Sequence, residues 1–169
     1  PCCAMVMLSD RAAQRLSETQ SNSFACDLGK WHSIMQAYEN GGHAYHATMP
    51  SDALARFRDA MLEAKAIGFA SVREQQQALG DRVRAMLAGR GFKSVAAKGF
   101  EAPGVVVCYT DDAQIKNGAK FAAVGLQIAA GVPLQCDEPA DFQTFRLGLF
   151  GLDKLGNVER SVATLEQAL

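Results

Sequence analysis

Apolar positions fall into helical spacing over the first half of the chain and into short continuous runs over the second. Residues 4–8, Ala-Met-Val-Met-Leu, predict a short buried strand. Ser9 is a good N-cap for a helix over residues 10–16, which places Ala12, Ala13 and Leu16 on one face. A polar loop over residues 17–23 follows. Residues 27–39 carry Leu28, Trp31, Ile34, Met35 and Tyr38 as a helical stripe that Asn40-Gly41-Gly42 ends. Pro50-Ser51-Asp52 opens the longest helical stretch, with Leu54, Phe57, Met61, Leu62 and Ile67 in register up to a break at Gly68. The pattern restarts at Ser71 and runs through Val72, Leu79, Val83, Met86 and Leu87 to Gly89-Arg90-Gly91.

Beyond that point the pattern predicts strands at residues 92–97 and 105–110, separated by a glycine- and proline-bearing loop. A short helix is expected over 118–124, further strands over 126–130 and 142–149, and a last helix over 157–169. Strands interspersed with helical segments predict an α/β or α+β fold. The break at Gly68 divides the chain into two domains, 1–67 and 68–169.

At 169 residues and 49% hydrophobic, the chain can bury a sizeable core. Charged residues make up 21% with a net charge of −1, and no basic stripe interleaved with aromatics occurs, so nucleic acid is not an expected partner. No apolar run approaches the roughly 20 residues needed to span a bilayer, so a soluble protein with no membrane partner is expected. The five cysteines, at positions 2, 3, 26, 108 and 136, form neither a CxxC pair nor a regular framework, which reads as reduced thiols in a cytoplasmic chain. Cys108, within Val105-Val106-Val107-Cys108-Tyr109, is expected to be a buried small hydrophobe, and the Cys2-Cys3 pair carries no pattern that implies catalysis. The chain begins at Pro1 with no methionine or signal pattern before it, which predicts that something upstream has been removed.

Two clusters suggest chemistry. In His43-Ala44-Tyr45-His46-Ala47-Thr48-Met49-Pro50, a phenol and a hydroxyl stand three residues apart just before a long helix. That arrangement can grip a phosphate or another anion; it also suits a loop aromatic packed on the core and a threonine helix cap. His43 and His46 have metal-pair spacing, but no third ligand stands near them, so no metal is expected, and His32 beside Trp31 reads as structural. The second cluster is Phe145-Arg146-Leu147-Gly148-Leu149-Phe150-Gly151. An arginine in such an apolar run snorkels at a sheet edge, pairs with an acidic residue, or meets a ligand carboxylate or phosphate. The glycine-bearing run 125–131 lacks dinucleotide-fingerprint spacing and is followed by Val132-Pro133 rather than by a helix.

In this order, roughly a hundred residues apart, the two clusters resemble the C-terminal part of class V, fold-type I pyridoxal-phosphate aminotransferases, most closely the alanine–glyoxylate and serine–glyoxylate branch. The resemblance covers nearly the whole chain. It implies a homodimer in which Tyr45 and Thr48 bind the phosphate of pyridoxal 5'-phosphate held by the other subunit, within a Tyr-His-x-Thr-x-Pro segment. Ala47 stands where some members of the family have a second histidine. The resemblance further implies that Arg146 grips the α-carboxylate of the amino-acid substrate through two parallel hydrogen bonds. In the family a lysine forms a Schiff base with the cofactor. None of Lys30, Lys65, Lys93, Lys98, Lys116, Lys120 or Lys154 sits in the corresponding setting, so that catalytic residue is expected upstream of Pro1 and this chain alone is expected to be inactive. Residues 1–67 would then be the trailing part of the cofactor-binding large domain and 68–169 the small C-terminal domain. The expected reaction moves an amino group from an amino acid to a 2-oxo acid such as glyoxylate or pyruvate. Two rivals are a 2-aminoethylphosphonate transaminase, in which Arg146 would grip a phosphonate, and a non-catalytic dimerisation or binding module.

Overall fold

A computed structural model describes residues 4–169; Cys2 and Cys3 lie outside the described residues. The chain divides into two compact units, Pro1–Leu62 and Glu63–Leu169.

The first unit is helical. Helix α1 (Asp10–Ser17) begins where Ser9 accepts from the Ala12 N–H, as the cap residue predicts. Helix α2 (Leu28–Glu39) is capped by Asp27, which accepts from Lys30 N–H, and it ends at Asn40 with Gly41 left-handed behind it. Helix α3 (Ser51–Ile67) starts directly after Pro50, continues past Leu62 into the residues of the second unit, and stops at Gly68, whose φ of 97° a side chain would resist. Of the described residues in this unit, Ile34 alone among the hydrophobics is buried. The strand expected over residues 4–8 does not form. Those residues are irregular and open to solvent, Met7 being 91% exposed. A strand needs a neighbour to take its N–H and C=O groups, and no strand is described in this unit.

The second unit is built on a three-stranded antiparallel sheet. Helix α4 (Phe69–Gly89) starts two residues before the expected Ser71. It is followed by β1 (Val105–Tyr109), short helices α5 (Ala113–Lys116) and α6 (Ala119–Ala123), and β2 (Ala129–Ala130). Then come β3 (Thr144–Gly148), helix α7 (Leu152–Leu155) and helix α8 (Val158–Glu166). The sheet order is β1-β3-β2, with Val107 and Ala129 flanking Arg146 on either side. One sheet face supplies Val106, Cys108, Phe145 and Leu147 to a core completed by Leu79, Val83 and Leu87 of α4 and by Phe121. Phe145 and Phe121 are fully buried, each burial contributing about 1.5–3 kcal/mol. Phe92 meets the Phe145 ring edge-on at 5.4 Å.

Several expectations are corrected here. The strand over 92–97 reduces to a single bridge between Ser94 and Cys108, because only Val95 N–H and the Lys93 carbonyl reach the β1 backbone. The run 126–130 pairs only at Ala129 and Ala130. Leu126 and Ile128 are instead used as side chains packed on the core. Helices α5 and α7, four residues each, were not expected, since neither is long enough to show a period. As expected, Cys108 is buried, and burial pushes its thiol pKa up against a small opposing effect of Arg84.

Candidate functional site

The loop before α3 has a defined shape because His46 fastens it. Its imidazole Nε2 donates to the Phe24 carbonyl at 3.0 Å, which requires the proton on Nε2. The ring lies 4.3 Å from Phe24 and meets Trp31 edge-on at 5.1 Å. Trp31 is fixed in turn by donation from Nε1 to the Ala25 carbonyl at 2.9 Å. With His46 turned inward, its neighbours turn outward. Tyr45 is 76% exposed and Thr48 is also exposed, and their hydroxyls lie 3.3 Å apart. Two hydroxyls this close, on a pinned loop, can both donate to the oxygens of one bound phosphate. The N-terminal end of α3, with its partial positive charge, begins three residues later, partly offset by Asp52 in its first turn. These residues fit the phosphate end of a cofactor such as pyridoxal 5'-phosphate.

Arg146 lies in the second unit, at the centre of β3 and on the sheet face opposite the Phe145 and Leu147 side chains. Its Nε donates to the Ala130 carbonyl of β2 at 3.0 Å. Among the described residues no carboxylate pairs with it, so both terminal nitrogens are available to a ligand. A guanidinium with its Nε tethered and its fork unused is arranged for bidentate recognition of a carboxylate or phosphonate. Helix α4 braces the chain where it enters β1 and where it leaves β3. Gln76 of α4 donates from Nε2 to the carbonyls of Pro103, at 3.1 Å, and Leu149, at 3.2 Å. Arg84 donates to those of Ala102 and Val105, at 2.8 and 2.9 Å.

Two features were not anticipated from the sequence. The loop after β2 is closed by Glu138, which accepts from the backbone N–H groups of Gln135 and Cys136 at 2.9 and 2.8 Å. Those two bonds hold its carboxyl down at about 2. Gln135 and Asp137 adopt left-handed backbone within this loop. An open cleft of about 780 Å³ lies at the Tyr109 end of β1, but it does not include Arg146. Within it Lys120 pairs with Asp112 at 2.6 Å and Lys93 lies over the Tyr109 ring, while Arg90, Asp111 and Asp141 also line it.

Solved structures decide what this fold is. The chain superposes on alanine–glyoxylate aminotransferase from Nostoc sp. with a TM-score of 0.69 at 17% identity, covering 95% of this chain and 42% of that one. Ureidoglycine–glyoxylate aminotransferase from Bacillus subtilis gives 0.63 at 20%, covering 95% and 41%. An aspartate aminotransferase of subgroup IV from Thermus thermophilus gives 0.54 at 20%, covering 96% and 44%. The fold is that of part of an aminotransferase. The chain spans about two fifths of the length of these enzymes, as its resemblance to their C-terminal portion implies. No family model and no curated protein matches the sequence. Among the described residues, no helix is long and apolar enough to cross a membrane.

Proposed function

We propose that this chain is the C-terminal part of a pyridoxal-phosphate-dependent aminotransferase that moves an amino group from an amino acid to a 2-oxo acid such as glyoxylate or pyruvate. The observation that carries the reading is the pairing of an exposed hydroxyl couple, Tyr45 and Thr48 at 3.3 Å, with an arginine whose fork is unpaired among the described residues, in a fold shared with aminotransferases.

When bound, the cofactor supplies the electron sink that labilises a bond at the substrate α-carbon. The chain's own residues would bind and orient. Tyr45 and Thr48 donate to the phosphate without ionising, and His46 keeps the loop from collapsing onto them. Arg146 takes the α-carboxylate in its fork, which sets which face of the α-carbon is presented for reaction. In the proposed homodimer the hydroxyl pair serves the cofactor of the other subunit.

The test uses the full-length enzyme in mixed dimers. One subunit carries both Tyr45→Phe and a substitution of the cofactor-attaching lysine, and the other is wild type. A grip in trans puts the tyrosine defect in the wild-type subunit's site, the one that still attaches the cofactor, and weakens cofactor affinity there. Normal affinity in the surviving site overturns the interface assignment. Amino transfer from 2-aminoethylphosphonate but from no carboxylate donor overturns the substrate assignment. Absence of cofactor binding by the whole protein overturns the enzyme reading in favour of a binding module.

A further inference from the structure

We infer that Gly131, together with Thr144, is a positioning pair that sets the direction of the Arg146 guanidinium by holding the Ala130 carbonyl in place; this rests on the substrate-gripping role proposed for Arg146. Strand β2 is only two residues long, Ala129 and Ala130, yet it furnishes the acceptor that tethers Arg146 Nε at 3.0 Å. So short a strand has few bonds of its own to resist displacement. What locks it is the next residue. Gly131 N–H donates to the Thr144 carbonyl at 3.0 Å, extending the β2–β3 pairing by one bond.

That approach is closer than a side chain permits. A Cβ on Gly131 would be driven into the Thr144 side chain and its carbonyl group. Thr144 cannot move aside, because it is 3% exposed and held in register with Tyr109 at the start of β3. Unlike Gly118 or Gly125, Gly131 does not have a positive φ, so its requirement is for space rather than for left-handed backbone. Gly131, Thr144, Ala130 and Arg146 therefore form one chain of contacts: close packing fixes β2, the carbonyl fixes Nε, and Nε fixes where the two terminal nitrogens project. A misdirected fork still carries its charge but no longer meets both oxygens of a carboxylate together.

The experiment compares Gly131→Ala with wild type in the full-length protein, by exchange of the Arg146 Nε–H with solvent (arginine ¹⁵N-labelled) and by steady-state kinetics with carboxylate donors. The expected result is faster Nε–H exchange and a KM raised about tenfold or more with kcat little changed. In an Arg146→Lys background, Gly131→Ala should add less than twofold to KM, because the group it directs is gone. If Gly131→Ala fails to fold, replacing Gly131 by glycolic acid weakens the Ala130 carbonyl as acceptor and removes the Gly131 N–H without adding bulk; the same two readouts should shift the same way. Unchanged Nε–H exchange in a folded variant overturns the inference. So does a KM effect that persists undiminished in the Arg146→Lys background, which marks a general structural role. If Nε–H exchange accelerates but Arg146→Ala itself changes KM less than threefold for every donor, the positioning geometry stands and the substrate role of Arg146 falls.

Discussion

From Glu63 to Leu169 the chain gathers Leu79, Val83, Phe121, Phe145 and their neighbours into one continuous apolar core. From Pro1 to Leu62 the described residues bury one hydrophobic side chain, Ile34, and leave Met5, Met7, Phe24, Met35 and Tyr38 more than half exposed. Both regions contain side-chain-capped helices, α1 and α2 in the first and α5 and α8 in the second, so the difference is not one of capping. Caps and i,i+4 contacts shape a helix but contribute only about a kilocalorie each, and helices in water depend on burying a face. The second unit does that within itself. The first is ordered locally, by Ser9, Asp27 and the His46–Phe24–Trp31 cluster, around apolar surface that it does not cover.

The most severe way to break this comparison is to separate the units. Residues 63–169 expressed alone should unfold in one cooperative denaturant transition, whereas 1–62 alone should show helical circular dichroism without one; a cooperative transition in 1–62 would remove the contrast. Next in size are core truncations. Phe145→Ala should destabilise the second unit by about 3–5 kcal/mol, while Ile34→Ala should cost about 2 kcal/mol or less because its surroundings can collapse. Equal losses in urea melts would show that burial is shared more evenly than exposure suggests.

The residues proposed to bind cofactor and substrate sharpen the contrast from the other side. Arg146→Ala should lower kcat/KM for carboxylate donors by a factor of about 30–1000, equivalent to about 2–4 kcal/mol, with little change in melting behaviour, because the arginine stands off the core face. An effect below threefold for every donor would make it a structural arginine. Tyr45→Phe and Thr48→Ala should each weaken cofactor affinity by about 1.5–3 kcal/mol in equilibrium dialysis, with the fold retained. Unaltered affinity in both variants would assign the loop to packing.

The smallest expected effect is at Glu138. Its folded pKa of about 2 lies below the ordinary value of 4.5, so its contribution is fully present above that ordinary value and is lost as pH falls from there towards 2. Glu138→Gln should mimic the acid state at neutral pH and increase proteolytic nicking within 132–140. No change in nicking would mean that the loop is held by other contacts.

Helices α1, α2 and α3, strand β1, the middle of β3 and helix α8 were legible in the sequence because each carries its own signal: a cap, a period, a terminating glycine or a continuous apolar run. The candidate residues Tyr45, Thr48 and Arg146 stood out as residue types in unusual settings. What those signals lack is a partner. Whether residues 4–8 or 92–97 become strands depends on a neighbouring edge that no local pattern encodes, and in both places the edge is absent or brief. The same holds at the candidate site. His46, like His43, is a histidine followed by an alanine, yet its role as the loop's fastening follows from Phe24, twenty-two residues away. Gly131 reads as one more loop glycine until β3 folds back and sets Thr144 against it. Local sequence determined most of the helices and which side chains are candidates for chemistry; tertiary structure decided which segments pair and which side chains are pinned or aimed, because hydrogen bonding and close packing are properties of two surfaces brought together.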